Sequence, residues 1–259
     1  ILFHSLALPL SLIFTKSFIT GNIPLCWKQS ITTPVFKKGD AMVASNYRPI
    51  SLTSIACKIM ESVVRDALLT HLNTHKLISV DQHGFLAKHS TGSQLLECLN
   101  DWTTAIEQNK RVDVCYIDFS QAFDSASLPK QFQKLVAYGI SVLSGCAQQI
   151  RGVPQGSVLG PICFVLFIND ISKCVKYCKL KLYADDVKLY FDFNCNNWSN
   201  LLQKDIDAIA EWANMWQLNI SISKTYMLHI GARNPNHVYT VNNVNISVVN
   251  SVKDLGVHV

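Results

Sequence analysis

Val187, Leu189 and Phe191 alternate with Lys188 and Tyr190. A strand turns successive side chains to opposite faces, so residues 187–191 predict a strand with one buried face. A second short β-rich run, residues 179–182, precedes it, and Tyr183-Ala184-Asp185-Asp186 falls at the hairpin turn between them. Val112, Val114 and Tyr116 predict a further strand over 112–119, and residues 31–36 a short one before the Lys37-Lys38-Gly39-Asp40 turn. Ile55, Ile59, Val63, Ala67 and Leu68 trace one face of a helix over 55–72, with Ser54 as its cap. Leu95, Leu99, Trp102 and Ile106 form the apolar side of a helix over 94–108. A helix over 128–138 tolerates Pro129 in its first turn and ends at Gly139. The clearest amphipathic pattern covers 201–216. Leu202, Ile206, Ile209, Ala213 and Trp216 share a face there, and Lys204, Asp205, Asp207 and Glu211 lie elsewhere. Residues 157–168 are apolar, and 238–259 are β-rich. Residues 1–20 are apolar but interrupted by His4, Pro9 and Lys16, and read as a buried helix, neither a membrane span nor a cleaved leader. This order of helices and antiparallel strands gives an α+β domain.

Two adjacent carboxylates at a hairpin turn repel each other, and a divalent cation would offset that repulsion. A solvated Asp-Asp turn is the plain alternative. Asp118 ends the mainly apolar strand at 112–119, where a carboxylate is costly without a partner or a metal. If that strand lies beside the hairpin, Asp118, Asp185 and Asp186 converge at one sheet edge. Such a set suits two Mg²⁺ ions and in-line phosphoryl or nucleotidyl transfer.

Three ordered runs then resemble the reverse transcriptases of non-LTR retrotransposons of the jockey and CR1 kind. They are Ile117-Asp118-Phe119-Ser120-Gln121-Ala122-Phe123-Asp124, Gly152-Val153-Pro154-Gln155-Gly156-Ser157-Val158-Leu159-Gly160-Pro161, and Tyr183-Ala184-Asp185-Asp186. Asn46-Tyr47-Arg48-Pro49-Ile50-Ser51-Leu52 and Gln82-His83-Gly84-Phe85 are similar to the same family.

The resemblance implies the fingers and palm of a right-hand polymerase, with an antiparallel palm sheet and a thumb largely absent. Fingers would span 1–111, the palm 112–230, and a palm–thumb boundary 231–259. It implies an RNA-directed DNA polymerase acting on an RNA template, a DNA primer and dNTPs, with Mg²⁺, or Mn²⁺ in its place, held by Asp118, Asp185 and Asp186. Asp118 and Asp185 would be the main ligands and Asp186 the weaker one. Phe123 would sit under the sugar of the incoming nucleotide and disfavour a 2′-hydroxyl; a core phenylalanine is the alternative. Gln155 and Gly156 would touch the nucleotide and templating region. Arg48 would face the triphosphate, Lys37 and Lys38 the nucleic acid, and Lys224 the pyrophosphate leaving group. For Lys37, Lys38 and Lys224 a solvated surface position is the alternative. An upstream endonuclease domain would belong to the full element and is not visible here.

Composition adds bounds. The chain has 259 residues, enough for a sizeable core. It begins with Ile and reads as a fragment. A net charge of +5 permits nucleic-acid binding without arguing for it. Nine cysteines lack Cys-x-x-Cys pairs with His, so zinc is not expected, and their scatter suits reduced thiols of an intracellular protein, in cytoplasm or nucleus, that is not secreted.

The pattern breaks in one stretch. The family places some thirty residues between the Tyr138-Gly139-Ile140 and Gly152-Val153-Pro154 positions, where this chain has only 141–151. A helix of about ten residues spans only about 15 Å, so that link cannot supply both a helix and a strand pair. Leu86, His89, Tyr226 and Asp254 are smaller departures, Asp254 standing where an aromatic is common. A catalytically inactive remnant that keeps the fold and binds RNA is therefore the competing reading.

Overall fold

The computed structural model describes residues 2–120, 122, 127–140, 156–194 and 198–259. In chain order the helices are α1 (Leu2–Thr20), α2 (Ile55–Thr74), α3 (Thr91–Glu107), α4 (Leu128–Ala137), α5 (Gly160–Ile168) and α6 (Trp198–Trp216). The strands are β1 (Ile31–Phe36), β2 (Tyr47–Leu52), β3 (Arg111–Ile117), β4 (Lys179–Tyr183), β5 (Asp186–Phe193), β6 (Tyr226–Ile230), β7 (Thr240–Val241), β8 (Val244–Asn245), β9 (Ser247–Val249), β10 (Lys253–Asp254) and β11 (Val257–His258). The chain forms two compact units, Ile1–Leu77 with Ala126–Phe164, and Ile78–Ser125 with Val165–Val259. The division falls away from the expected boundaries at 111/112 and 230/231. Residues 78–111 go with the main sheet because α3 packs on β3 and β5.

In the first unit β1 and β2 form an antiparallel hairpin, with Phe36 opposite Tyr47 and Val35 opposite Arg48. Helix α2 starts after Ser54 as expected, but the serine side chain makes no capping bond. Its expected apolar stripe is also displaced: Ile55, Ile59 and Val63 are exposed, and Cys57, Met60 and Leu72 are buried. The Cys57 side of α2 carries Glu61, whose carboxylate accepts from the Ser157 hydroxyl at 3.1 Å and from the Val158 N–H at 2.6 Å. That contact, more than apolar spacing, sets which side of α2 turns inward. Helix α1 forms, but Leu6, Leu8, Leu12 and Ile19 are exposed, which corrects the buried helix read from composition. Its apolar residues lie all round the helix, and a single supporting face cannot cover them. Among the described residues no helix is long and apolar enough to cross a membrane.

The second unit is built on one five-stranded sheet, in the order β4-β5-β3-β6-β9. All its pairings are antiparallel except β6 with β9. Both faces are covered, so the one-sided strand expected at 187–191 is buried on both sides: Lys188 and Tyr190 are as enclosed as Val187 and Leu189. On one face Cys98, Trp102 and Ala105 of α3 meet Val112, Val114, Tyr190 and Leu228. Leu99 and Ile106, expected on that side, stay exposed. The helix starts at a capping box between Ser90 and Ser93.

The opposite face lies under α6. Trp198 stacks on Phe193 at 4.2 Å, Trp212 packs against Phe119, and Trp216 meets Phe167 edge-on. The tryptophans of α6 are therefore packing residues. Asp205 departs from the expected polar side of this helix. It is buried, and its carboxylate accepts the N–H groups of Lys176, Tyr177 and Cys178 at 2.8–3.0 Å, fixing the entry to β4.

Asp113 of β3 is wholly buried on the α6 face. It accepts hydrogen bonds from Trp198 Nε1 (3.0 Å), His229 Nδ1 (2.6 Å), Asn234 Nδ2 (2.9 Å) and Tyr239 Oη (2.6 Å). Burial alone would push the carboxyl up. The bonds from His229, Tyr239 and Asn234, with the charge of His229, outweigh burial and hold it below the ordinary range. A carboxyl held low in the folded state contributes stability above its unfolded value of roughly 3.9, and that stability is lost as pH falls through the folded value. Asp113→Asn is expected to cost about 1–3 kcal/mol near neutrality. It should also remove one proton's worth of acid sensitivity in urea melts taken from about pH 5 down to about pH 2. An unchanged acid limb would show that Asp113 is not the linked group.

Candidate active site

Tyr183 of β4 pairs with Asp186 of β5, leaving Ala184 and Asp185 as a two-residue loop. Tight hairpin loops that match the sheet's twist need positive φ in their first position, which glycine usually supplies. Here Ala184 takes φ +55°. A side chain in that region stores about 1–3 kcal/mol and persists only where the surroundings impose it. The surroundings include residues 81–84, which run beside β4: Leu182 N–H donates to Asp81 O at 2.9 Å, and His83 N–H to Leu182 O at 2.8 Å.

β3 pairs with β5 on the other side, with Ile117 opposite Val187. One step further along the register, Asp118 comes opposite Asp186. The chain beyond β3 is tied down by Ser221 N–H donating to Asp118 O at 2.8 Å and Ser120 N–H to Asn219 O at 2.8 Å. The sheet therefore brings Asp118, Asp185 and Asp186 together at one edge. Asp186 opens to solvent, yet dense protein around it and the charges of Asp185, Asp118 and Asp254 push its carboxyl up to about 6, against the opposing pull of Lys188.

The orientation of β5 has a further support. Lys188, two residues after Asp186 and on the same face, forms an ion pair with Asp254 of β10. Both are buried, at 4% and 5% exposure. Tyr116 donates its hydroxyl to Asp254 at 3.2 Å, and the Lys188 ammonium lies 5.5 Å from the Tyr116 ring and 5.8 Å from that of Trp102. Burial and the Asp254 charge push the Tyr116 hydroxyl well up, so it stays a donor. Asp254, read in the sequence as a departure, thus has a defined partner. The one available signal was a charged residue inside each of two apolar stretches.

The remaining expected site residues divide between the units. Lys224 stands with the carboxylates: its ammonium is 3.3 Å from Asp118 Oδ2, and its side chain is largely exposed. Arg48 on β2, and Lys37 and Lys38 just after β1, are exposed in the first unit. Gly156 also belongs there. At φ +116° it faces the backbone of β2, where a Cβ would come within 2.4 Å of Ser51 O, so its close approach is to that strand. Phe123 and Gln155 lie outside the described residues.

Oδ2 of Asp118 is buried and accepts no hydrogen bond among the described residues; Lys224 is near but not aligned to donate. A carboxylate oxygen that accepts no hydrogen bond, beside two further carboxylates, is a hard oxygen donor set of the kind Mg²⁺ and Mn²⁺ take. Among the described residues no three His, Cys, Asp or Glu side chains close around one point as a protein-only cage would. Mg²⁺ does not require one, since it is usually held by one or two carboxylates together with substrate phosphates. The residues present fit such an ion.

The chain is similar to known proteins. A family model described as reverse transcriptase (RNA-dependent DNA polymerase) matches residues 35–259. The RNA-directed DNA polymerase from mobile element jockey of Drosophila funebris is 29% identical over 245 residues, covering 83% of this chain and 27% of its own length. The probable RNA-directed DNA polymerase from transposon X-element of Drosophila melanogaster is 27% identical over 280 residues, covering 96% of this chain and 30% of its own length. The chain thus spans less than a third of these relatives. The second alignment is longer than the 259-residue chain, so that relative carries residues with no counterpart here. Among solved structures, apo telomerase from Candida tropicalis superposes with a TM-score of 0.58 at 11% identity, over 94% of this chain and 52% of that one. Telomerase from Candida albicans in complex with a TWJ fragment of telomeric RNA gives 0.52 at 10% identity, over 87% and 45%. The likeness is one of fold, and it matches the α+β fingers-and-palm polymerase architecture expected from the sequence.

Proposed function

Because this chain belongs to the reverse transcriptase family, we propose that it carries out RNA-directed DNA synthesis. The oxygen of a primer 3′-hydroxyl gives up its proton to water and forms a bond to the α-phosphorus of a dNTP, the bond from that phosphorus to the α–β bridging oxygen breaks, and pyrophosphate leaves. The observation that carries this reading is the convergence of Asp118, Asp185 and Asp186 at one sheet edge, with a buried Asp118 oxygen that accepts no hydrogen bond among the described residues and a raised Asp186. Asp118 and Asp185 are the main residues to hold Mg²⁺ or Mn²⁺, with Asp186 beside them. When bound, the ions would lower the pKa of the attacking hydroxyl and stabilise charge on the phosphate oxygens.

The chain's own groups do the rest. Lys224 neutralises Asp118 in the free protein, and its exposed ammonium can turn to the leaving pyrophosphate and give it a proton. Phe123, Gln155 and Gly156 are assigned to the nucleotide, Arg48 to the triphosphate, and Lys37 and Lys38 to the nucleic-acid backbone. Fingers and palm are our names for the first and second units. RNA template, DNA primer and dNTPs place the activity inside the cell, and an endonuclease domain is expected in the full element.

Purified chain supplied with an RNA template, an annealed DNA primer, dNTPs and Mg²⁺ is expected to extend the primer to the template's end and to prefer dNTPs over ribonucleotides. Absence of extension with both Mg²⁺ and Mn²⁺ would sink the reading. It would favour instead an inactive remnant that retains RNA affinity, to which the residues missing relative to the X-element protein point.

A further inference from the structure

Residues 82–85 share the family likeness but have no role in the chemistry described so far. We propose that Gln82 is a positioning residue for the Ala184–Asp185 turn, and that Gly84 is required beside it because a side chain there would strike the turn. The proposal rests on the polymerase reading of the carboxylate site.

Gln82 is fully buried. Its Oε1 accepts two backbone N–H groups, from Gly84 at 2.7 Å and from Ala184 at 3.0 Å. Ala184 is itself buried and lies in the loop, outside the β4–β5 ladder. A buried amide without a ladder partner needs another acceptor, and Gln82 is that acceptor. The side-chain amide cannot be flipped, because Nε2 would then point a donor at two donors. In the orientation seen, Nε2 is buried and makes no hydrogen bond among the described residues. An arrangement that leaves a buried donor unpaired in order to accept two amides is built around the acceptor.

The backbone supports the same reading. Gln82 bridges to Leu182 in parallel, so residues 81–84 cover the outer edge of β4 immediately before the turn. A Cβ on Gly84 would stand 2.4 Å from Ala184 N, 3.0 Å from the Tyr183 carbonyl carbon and 3.0 Å from Gln82 Oε1. The 81–84 segment and the turn are thus in direct backbone contact. Ala184 holds a φ of +55°, which a residue with a side chain leaves unless it is held. Releasing its N–H lets the loop relax to negative φ, and the residue that then moves is Asp185. Gln82 touches no reacting atom and acts only through the turn.

The test compares wild type with Gln82→Met, which keeps the length of the side chain and loses the acceptor, and with Gln82→Glu, which keeps an acceptor oxygen. Asp185→Ala serves as the reference. Mn²⁺ binding to the substrate-free chain is read by electron paramagnetic resonance, amide exchange at Ala184 and Asp185 by NMR, and kcat and KM for dNTP by primer extension. Gln82→Met is expected to weaken Mn²⁺ binding and lower kcat by about 10–100-fold, the usual range for groups that orient ion ligands. KM for dNTP should be unchanged and the Ala184 amide should exchange faster, with Gln82→Glu returning most of both losses. A folded Gln82→Met chain that binds Mn²⁺ and protects Ala184 like wild type would overturn the proposal. If the Met chain does not fold, Gln82→Asn, which withdraws the acceptor by one methylene, is judged by the same two outcomes. Failure of the polymerase reading would look different: no extension by wild type, and equal Mn²⁺ binding by wild type and Asp185→Ala.

Discussion

Asp185→Ala is expected to abolish primer extension and, at the same time, to make the protein harder to melt. The two effects have one cause. Asp185, Asp186 and Asp118 are crowded at one sheet edge, and burial first, then the charges of Asp185 and Asp118, raise the Asp186 carboxyl. Removing one charge relieves a like-charge cluster, so the melting temperature should rise and Asp186 should titrate nearer the ordinary carboxylate range. The same deletion takes away a hard oxygen needed to place the ions on the reacting phosphate. Ion assistance is worth several kcal/mol of transition-state stabilisation, so its loss lowers the rate by about 10³-fold or more. The measurements are single-nucleotide incorporation under saturating dNTP, thermal melting without added metal, and an NMR titration of Asp186. A variant that loses activity and also melts earlier would mean that Asp185 supports the turn rather than the chemistry. A variant that keeps activity would remove it from the site.

This opposition between charge repulsion and function explains why the carboxylates could be read from sequence. Asp-Asp in a hairpin and an Asp at the end of an apolar strand are locally unfavourable, so each asks for a compensating group. The register of β3 against β5 then supplies the meeting point that sequence could only suppose. Helix α6 was legible for a different reason: its apolar residues fall on one stripe. Helices α1 and α2 were misread because each carries apolar residues on more than one side, and spacing alone does not say which side is covered.

What stayed hidden were the buried polar partners. Asp205 looks like a surface acid because it sits among Lys204 and Asp207, yet it gathers the three N–H groups that open β4. Asp113 looks like the polar half of an alternating strand, yet its donors come from α6, β6 and the segment beyond it. Gln82 lies 102 positions from Ala184 in the turn it supports, beyond the reach of any local pattern. For Asp113 and Asp205 the apolar pattern located the strand and the helix but said nothing of what the polar residue inside it would meet. The partner is brought near only by the sheet order.

The same reasoning predicts a large, non-additive effect at Lys188 and Asp254. Lys188→Met leaves Asp254 buried beside the Tyr116 hydroxyl without its cation, and Asp254→Leu leaves the ammonium between the rings of Tyr116 and Trp102 without its carboxylate. Breaking a buried pair from one side typically costs about 3–5 kcal/mol, because the remaining charge has no water to return to. Replacing both partners with apolar groups of similar volume is commonly neutral or stabilising by about 1–4 kcal/mol. The double variant Lys188→Met/Asp254→Leu, combined with Tyr116→Phe so that no hydroxyl is stranded, should therefore melt near or above wild type although each single change melts far below it. Urea unfolding of the four corners of the Lys188/Asp254 cycle, all built in the Tyr116→Phe background, gives the coupling directly. Additive losses would mean that the ammonium and carboxylate are solvated separately, and that β10 is not held to β5 by their charge. If the cycle closes as expected, the C-terminal hairpin β10–β11 is anchored two residues from Asp186, and a mutation in it is transmitted to the carboxylate edge through Lys188.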